Sequence, residues 1–564
     1  MTEPPLIVQE DGAVLLETLH PDYEQARDRL QRFAELEKSP EYVHFYRITA
    51  ISVWNAAALG DTVESIVDWI EDNARYPVAP VVLEQLRDWH RRYGLLELVS
   101  ASGGLELRCA DPELLEEILA RPSLKELVRS RAGRLLVEPD DRGSVKRELT
   151  QLGYPVLDRA GYRQGDALGF SLRDRTLSGA RLDVRDYQQR AAQAFHVGGS
   201  VEGGCGVVVL PCGGGKTMVG IAAMQLLQTN TLVLTTNTVA VRQWLRELLD
   251  KTDLTEEQLG EYTGAQKDVR PVTVATYQIL THRRSRLGGF THMDLFDRGG
   301  FGLIIYDEVH LLPAPVFRAT ASVQARRRLG LTATLVREDG RQGEVFSLIG
   351  PKRFELPWRE LERQGFLAAA HCTEVRVPLS EDRAARHARV DRRHQFRVAS
   401  DNERKMDVVG HLLRRHRHDQ VLLIGQYLDQ LRNAATLFGL PLITGETPSE
   451  ERERLYAAFR SGESSRLVVS KVGNFAVDLP NANVAIQLSG TFGSRQEEAQ
   501  RLGRILRPKS DGKTAWFYSL VSADTREQEF ARKRQLFLTE QGYRYRILED
   551  RQLLGEAAEQ GASS

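Results

Sequence analysis

Residues 206–220, GVVVLPCGGGKTMVG, restrict the possible folds of this 564-residue chain more than any other stretch. The first five are small, apolar or β-branched and read as a buried strand. Three glycines then leave almost nothing to pack, and from Met218 onward the pattern is helical. A glycine loop that opens a helix leaves unpaired N–H groups at the positive end of the helix dipole. Such a corner binds anions, because glycines let the backbone wrap a phosphate closely. Lys216 can reach the β- and γ-phosphates and the Thr217 hydroxyl can join a Mg²⁺ shell. Pro211, Cys212, Gly213, Gly214, Gly215 and Met218 complete the loop. The strict spacing G-x-x-x-x-G-K-[ST] fails only at its first position, which is Leu210. The corner is read as a triphosphate site.

Around that corner, short apolar strands alternate with helices: GVVVLP, TLVLTT, VTVAT, GLIIYD and RLGLTAT. This is the pattern of a parallel sheet covered on both faces, with ligands beyond the carboxyl ends of the strands. After Pro357 a second set follows: QVLLIG, PLIT, RLVVS, VAIQLS and AWFYSLV. The expected fold class is therefore α/β, with two tandem units at 179–356 and 357–552 that share one nucleotide. Ahead of them, residues 1–125 read as mostly helical. PDYEQARDRLQRFAELEKS, DTVESIVDWIEDNAR and VAPVVLEQLRDWHRRYG carry apolar residues at helical spacing, and LLELVSASGGLELRCA reads as a hairpin. Helices followed by a hairpin predict a winged-helix-like domain. Residues 126–178 read as a small mixed segment and a linker, and 553–564 as a disordered tail.

Composition bounds the class. A chain that is 41% hydrophobic and 27% charged suits a soluble globular protein. No window has the roughly 18 apolar residues of a membrane helix, and the N-terminus lacks a signal-peptide pattern. Cys109, Cys205, Cys212 and Cys372 are scattered, without a C-x-x-C pair, which argues against structural zinc, an iron–sulfur cluster or a disulfide framework. A cytoplasmic location is expected. Residues 1–130 hold 13 Lys and Arg against 24 Asp and Glu, a net −11 that leaves +10 for the rest of a chain of net charge −1. The split points to nucleic-acid contact by the basic part. For the acidic part it favours protein contact or packing on the rest of the chain.

Further chemistry lies at the strand ends. FGLIIYDEVH closes a buried strand on two acids. Asp307 suits Mg²⁺ and Glu308 suits polarising the attacking water. Thr332 and Thr334 in LGLTAT could tie this pair to the second unit. Gln500, Arg501, Arg504 and Arg507 in QEEAQRLGRILRPK recur on one helical face. Opposite a nucleotide, Arg504 and Arg507 would act as arginine fingers, with Gln500 orienting the water. Gln188 in DVRDYQQRAAQAF, with Arg185 beside it, can pair with an adenine edge.

In this order the segments resemble a superfamily 2 helicase over about 180–550. Asp-Glu-Val-His, followed by Arg337-Glu338-Asp339, VVSKVGNFAVDLP and SGTFGSRQEEAQRLGRILRPK, resembles the XPB repair helicases. The resemblance implies two RecA-like lobes, ATP and Mg²⁺ as cofactors, and 3′–5′ unwinding or translocation of DNA. It also implies a thumb-like insertion near 379–405, a damage-recognition-like role for 126–175, and DNA opening by Arg337, Glu338 and Asp339. Leu506 departs from the glycine of many related motors.

Loops after the strands supply the candidate DNA contacts: Thr235, Thr236, Arg242, Thr276, Tyr277, Gly445, Ser470 and Lys471. Binding should tolerate sequence and weaken with salt. The expected partner is single-stranded or forked DNA, with a nuclease or other repair protein as a further partner and no membrane, and a monomer is expected. Two alternatives stay open: an RNA helicase, and a nucleotide-operated clamp that does not unwind processively.

Overall fold

The computed structural model describes residues 3–39, 42–102, 104–131, 133–200, 203–211, 213–282, 291–292, 294–312, 326–333, 342–356, 358–366, 370–470, 482–490, 514–540 and 543–554. They form two compact units, one mainly from residues before 357 and one mainly from residues after it.

The N-terminal region is not mostly helical. Helices Tyr23–Phe33, Val63–Asn73 and Pro80–Arg92 stand where periodicity placed them, and a further helix, Ala50–Ala58, precedes the last two. Thr49 and Thr62 cap Ala50–Ala58 and Val63–Asn73, accepting from Ser52 N and Ser65 N. Strands β1 (Leu6–Val8) and β2 (Ala13–Glu17) precede the first helix and β3 (Glu35–Lys38) and β4 (Val43–Arg47) follow it, in the sheet order β1-β2-β4-β3. The β1–β2 pair is antiparallel. Strands this short, one of them the polar ELEK, carry too little alternation to be read from sequence.

The expected hairpin is β5 (Leu96–Ala101) and β6 (Gly104–Cys109), paired antiparallel. It continues into β7 (Val128–Arg131), β8 (Arg134–Val137) and β9 (Val156–Arg159), in the order β7-β8-β6-β5-β9. This five-stranded sheet with its own apolar core crosses the boundary expected at 125. Helix Arg142–Gln151 covers it. Arg142 forks onto the Asp158 carboxylate with bonds of 2.9 and 2.6 Å, and Lys146 adds a third at 3.0 Å.

The glycine-rich stretch read as a linker is strapped to the first sheet unit. Asp166, Leu168 and Arg173 donate their N–H groups to the carbonyls of Gly300, Gln228 and Lys251, and Leu168 and Phe170 are buried. Helix Ala50–Ala58 packs on the same unit. Asn55 Oδ1 accepts from Lys352 N at 3.0 Å, and the Trp54 and Phe346 rings lie 5.8 Å apart.

That unit is built on β10 (Cys205–Val209), β11 (Thr231–Thr235), β12 (Leu259–Tyr262), β13 (Val272–Thr276), β14 (Leu303–Asp307), β15 (Arg327–Thr332) and β16 (Lys352–Glu355). The order is β12-β13-β11-β14-β15-β10-β16, and every pair is parallel. Both faces are covered, so β10, β11 and β13 are buried at every position. Five of the seven strands were legible. The edge strands β12 and β16 are short and carry polar residues.

The second unit repeats the plan with β17 (Ala370–Val377), β18 (Val421–Gly425), β19 (Leu442–Ile443), β20 (Arg466–Ser470), β21 (Val484–Gln487), β22 (Ala515–Ser522) and β23 (Arg544–Glu549). Its order is β19-β20-β18-β21-β22-β17-β23, again parallel. Within 379–405 lie two nine-residue helices, Glu381–Arg389 and Arg392–Ser400, the first with no buried residue. Below them Lys405 is fully buried and pairs with Glu527 at 2.8 Å.

Candidate active site

Three strand ends define one edge of the first sheet. β10 ends at the glycine corner, β14 at Asp307, and β15, at Thr332, lies between them. Because all are parallel, the three chemistries open on the same side.

At the corner, Gly213 and Gly215 take φ of +81° and +76°, a region costly for other residues. Helix Lys216–Leu227 starts directly after Gly215. The side chain of Gln188 lies against that glycine, since a Cβ on Gly215 would meet Gln188 Nε2 at 2.2 Å. Gln188 is buried and its Oε1 accepts from Arg185 N at 3.1 Å, which fixes the amide beside the loop. The Arg185 guanidinium donates to the Tyr187 hydroxyl at 3.0 Å. Cys212 lies outside the described residues.

Lys216 Nζ stands 3.6 Å from Glu308 Oε1, so the loop lysine and the second acid of the pair face each other. Glu308 is held at φ +53° and ψ +53°, left-handed for a residue with a Cβ. Such backbones cost of order 1–3 kcal/mol and persist where the surroundings fix them. Glu308 Oε2 is buried without a hydrogen bond among the described residues. Burial and the adjoining Glu308 push the Asp307 carboxyl up to about 6, against the opposing N–H of Trp244 and charge of Lys216. A half-buried acid pair with one oxygen that makes no hydrogen bond among the described residues, a facing lysine and a glycine cradle fits a magnesium–triphosphate group. His310 Nδ1 and Thr332 Oγ1 share a hydrogen bond of 2.7 Å, joining the acid-pair turn to β15.

Several expected DNA contacts are buried. Thr235, Thr276 and Tyr277 are 0, 6 and 2% exposed. Thr235 Oγ1 donates to Asn237 O, and Thr276 Oγ1 accepts from Ile279 N. These side chains terminate strands and cap helices, so they are corrected from surface contacts to internal ones. Ser470 is likewise buried. Thr236 is half-buried, while Arg242 and Gly445 are exposed. Thr334, Arg337, Glu338, Asp339, Lys471, Gln500, Arg501, Arg504 and Arg507 lie outside the described residues.

One contact was missed in the sequence. Trp244 Nε1 donates to Asp307 Oδ2 at 2.9 Å. An indole at a helical core spacing reads as packing, and nothing in the sequence marks its N–H as aimed at an acid.

Among family models, one described as the ERCC3/RAD25/XPB C-terminal helicase matches residues 361–562. One described as the type III restriction enzyme, res subunit, matches 181–337, and one described as a helicase conserved C-terminal domain matches 6–132. Sheets, corner and acid pair define the class: an ATP-hydrolysing superfamily 2 helicase with two α/β units. The chain is 51% identical over 97% of both chains to "DNA 3'-5' helicase XPB" of Kineococcus radiotolerans, and 50% identical over 99% of this chain and 100% of the other to the protein of that name in Mycobacterium tuberculosis. It belongs to the XPB family of DNA 3′–5′ helicases. A Saccharomyces cerevisiae relative, "General transcription and DNA repair factor IIH helicase/translocase subunit XPB/SSL2", is 31% identical over 97% of this chain and 72% of its own.

Proposed function

We propose that this protein is an ATP-driven motor that opens or moves along DNA with 3′–5′ polarity in DNA repair, acting on single-stranded and forked substrates. The observation that carries the reading is the facing of Lys216 and Glu308 at an edge where the glycine corner and the acid pair open together. The corner N–H groups and Lys216 bind the β- and γ-phosphates. Gln188, held beside Gly215, is assigned to the adenine edge. Thr217 and Asp307 would hold Mg²⁺, which supplies charge neutralisation at the phosphates. With the nucleotide taking Lys216, Glu308 is released to accept a proton from the attacking water.

Gln500, Arg504 and Arg507 are assigned to water orientation and transition-state charge, and Arg337, Glu338 and Asp339 to DNA opening. Thr236, Arg242, Gly445 and Lys471 are assigned to the phosphate backbone. A nuclease or other repair protein is the kind of partner proposed, with the chain acting as a monomer.

Single-turnover hydrolysis and nucleotide retention test the site. Lys216→Ala should abolish hydrolysis, by about 10³-fold or more, and Glu308→Gln should bind ATP and DNA yet fail to release them. Turnover retained in both variants overturns the assignment.

A further inference from the structure

Helix Thr238–Lys251 leaves the carboxyl end of β11, capped by Asn237, whose side chain accepts from Ala240 N at 3.0 Å. Its buried face is Val241, Trp244 and Leu248, an ordinary spacing for core. Trp244 differs in where its polar end goes. A buried indole N–H can only donate and needs an acceptor. Here the acceptor is Asp307 Oδ2, one of the two oxygens of the carboxylate assigned to the magnesium ion. The approach depends on Gly220 in the helix after the corner. A Cβ there would lie 2.6 Å from Cη2 of the indole and 3.3 Å from Leu331 Cδ1, so the glycine makes room for the ring.

A second contact reaches the same residue from another segment. Tyr277 opens the short helix after β13, and its hydroxyl donates to the Asp307 carbonyl at 2.8 Å. The two segments are themselves tied, since Gln278 Nε2 donates to Thr236 O at 2.6 Å. The segment after β11, which carries Thr236 and Arg242, and the segment after β13 therefore converge on one acid, at its carboxylate and at its carbonyl.

We infer that Trp244 is a positioning residue that fixes the Asp307 carboxylate through its N–H, and that with Tyr277 it couples nucleic acid held at Thr236 and Arg242 to the nucleotide site. The indole takes Oδ2 and leaves Oδ1 for the ion and its water. A shift of the helix Thr238–Lys251 turns or releases the carboxylate, because the indole is rigid and packed on Gly220. This inference rests on the reading of the corner as the ATP site.

Trp244→Phe in the full chain keeps a ring and removes the N–H. Mant-ATP fluorescence titrated with Mg²⁺ should show half-maximal binding displaced to about tenfold higher Mg²⁺, with Mg²⁺-free binding and apo thermal stability little changed. At saturating Mg²⁺, DNA-stimulated kcat should fall by about tenfold while KM for ATP stays within about threefold. An unchanged Mg²⁺ dependence and unchanged stimulation overturn the inference, as does a loss shared equally by Mg²⁺-free binding. Tyr277→Phe deletes one oxygen and is the second variant should Trp244→Phe fold poorly. It should lower the stimulation by DNA by about threefold, and full stimulation contradicts the coupling. Lys216→Ala, run in parallel, separates the failures: mant-ATP binding and hydrolysis that survive it overturn the nucleotide site itself.

Discussion

Gly220 carries no strained dihedral, so its value lies in the space it leaves for the Trp244 ring. Gly220→Ala should destabilise the chain by about 1–3 kcal/mol through overpacking against a rigid ring. Urea unfolding checks this, and an unchanged midpoint contradicts the packing described. Residue type and order singled out Lys216, Thr217, Asp307, Glu308 and Gln188, and the fold brings Lys216 to Glu308 and Gln188 to Gly215. The roles of the strand-terminal threonines were not legible, because a strand-terminal Thr serves equally as a helix cap or a surface contact. Thr276 turned out to cap its own short helix. Trp244 was hidden by its regular place on an amphipathic face.

Among the elements, the helix Arg142–Gln151 and β9 are held by one buried acid between two cations. Against the cost of burial, Lys146 and Arg142 keep the Asp158 carboxyl well below the usual carboxylate range. Since the folded value lies below the unfolded one, its contribution is whole above about pH 4 and is lost as pH falls below that. Asp158→Asn should therefore cost about 3–5 kcal/mol near neutrality, by leaving buried cations uncompensated. Unfolding at pH 7 and pH 3 tests both statements, since the gap between wild type and variant should narrow in acid. An equal gap at both contradicts them. The central strands of both sheets were legible because they are uniformly apolar. β17 and β23 carry charged residues in mid-strand, as in AHCTEVRV and RYRILE, and escaped notice. The linker escaped for another reason: backbone hydrogen bonds hold the 166–173 strap, and they leave no mark on side-chain pattern.

For the whole molecule, most of the acidic first 130 residues belong to the first unit, and the basic remainder carries the two parallel sheets. DNA held by backbone phosphates should bind more weakly as salt rises, the logarithm of affinity falling linearly with that of salt. Affinity indifferent to salt between low and physiological ionic strength would remove the phosphate-tracking account. Motor architecture was legible because strand–loop–helix order and acid placement survive in one dimension. Polarity of motion and choice of partner arise from surfaces that no local pattern encodes. The central claim is that hydrolysis at the glycine corner is driven by DNA. It is tested most directly by ATP turnover without nucleic acid, with single-stranded DNA, with forked duplex and with RNA, beside Lys216→Ala. The account predicts strong stimulation by both DNA forms, little by RNA, and none in the variant. Turnover that ignores DNA, or that RNA stimulates as well as DNA, would contradict it.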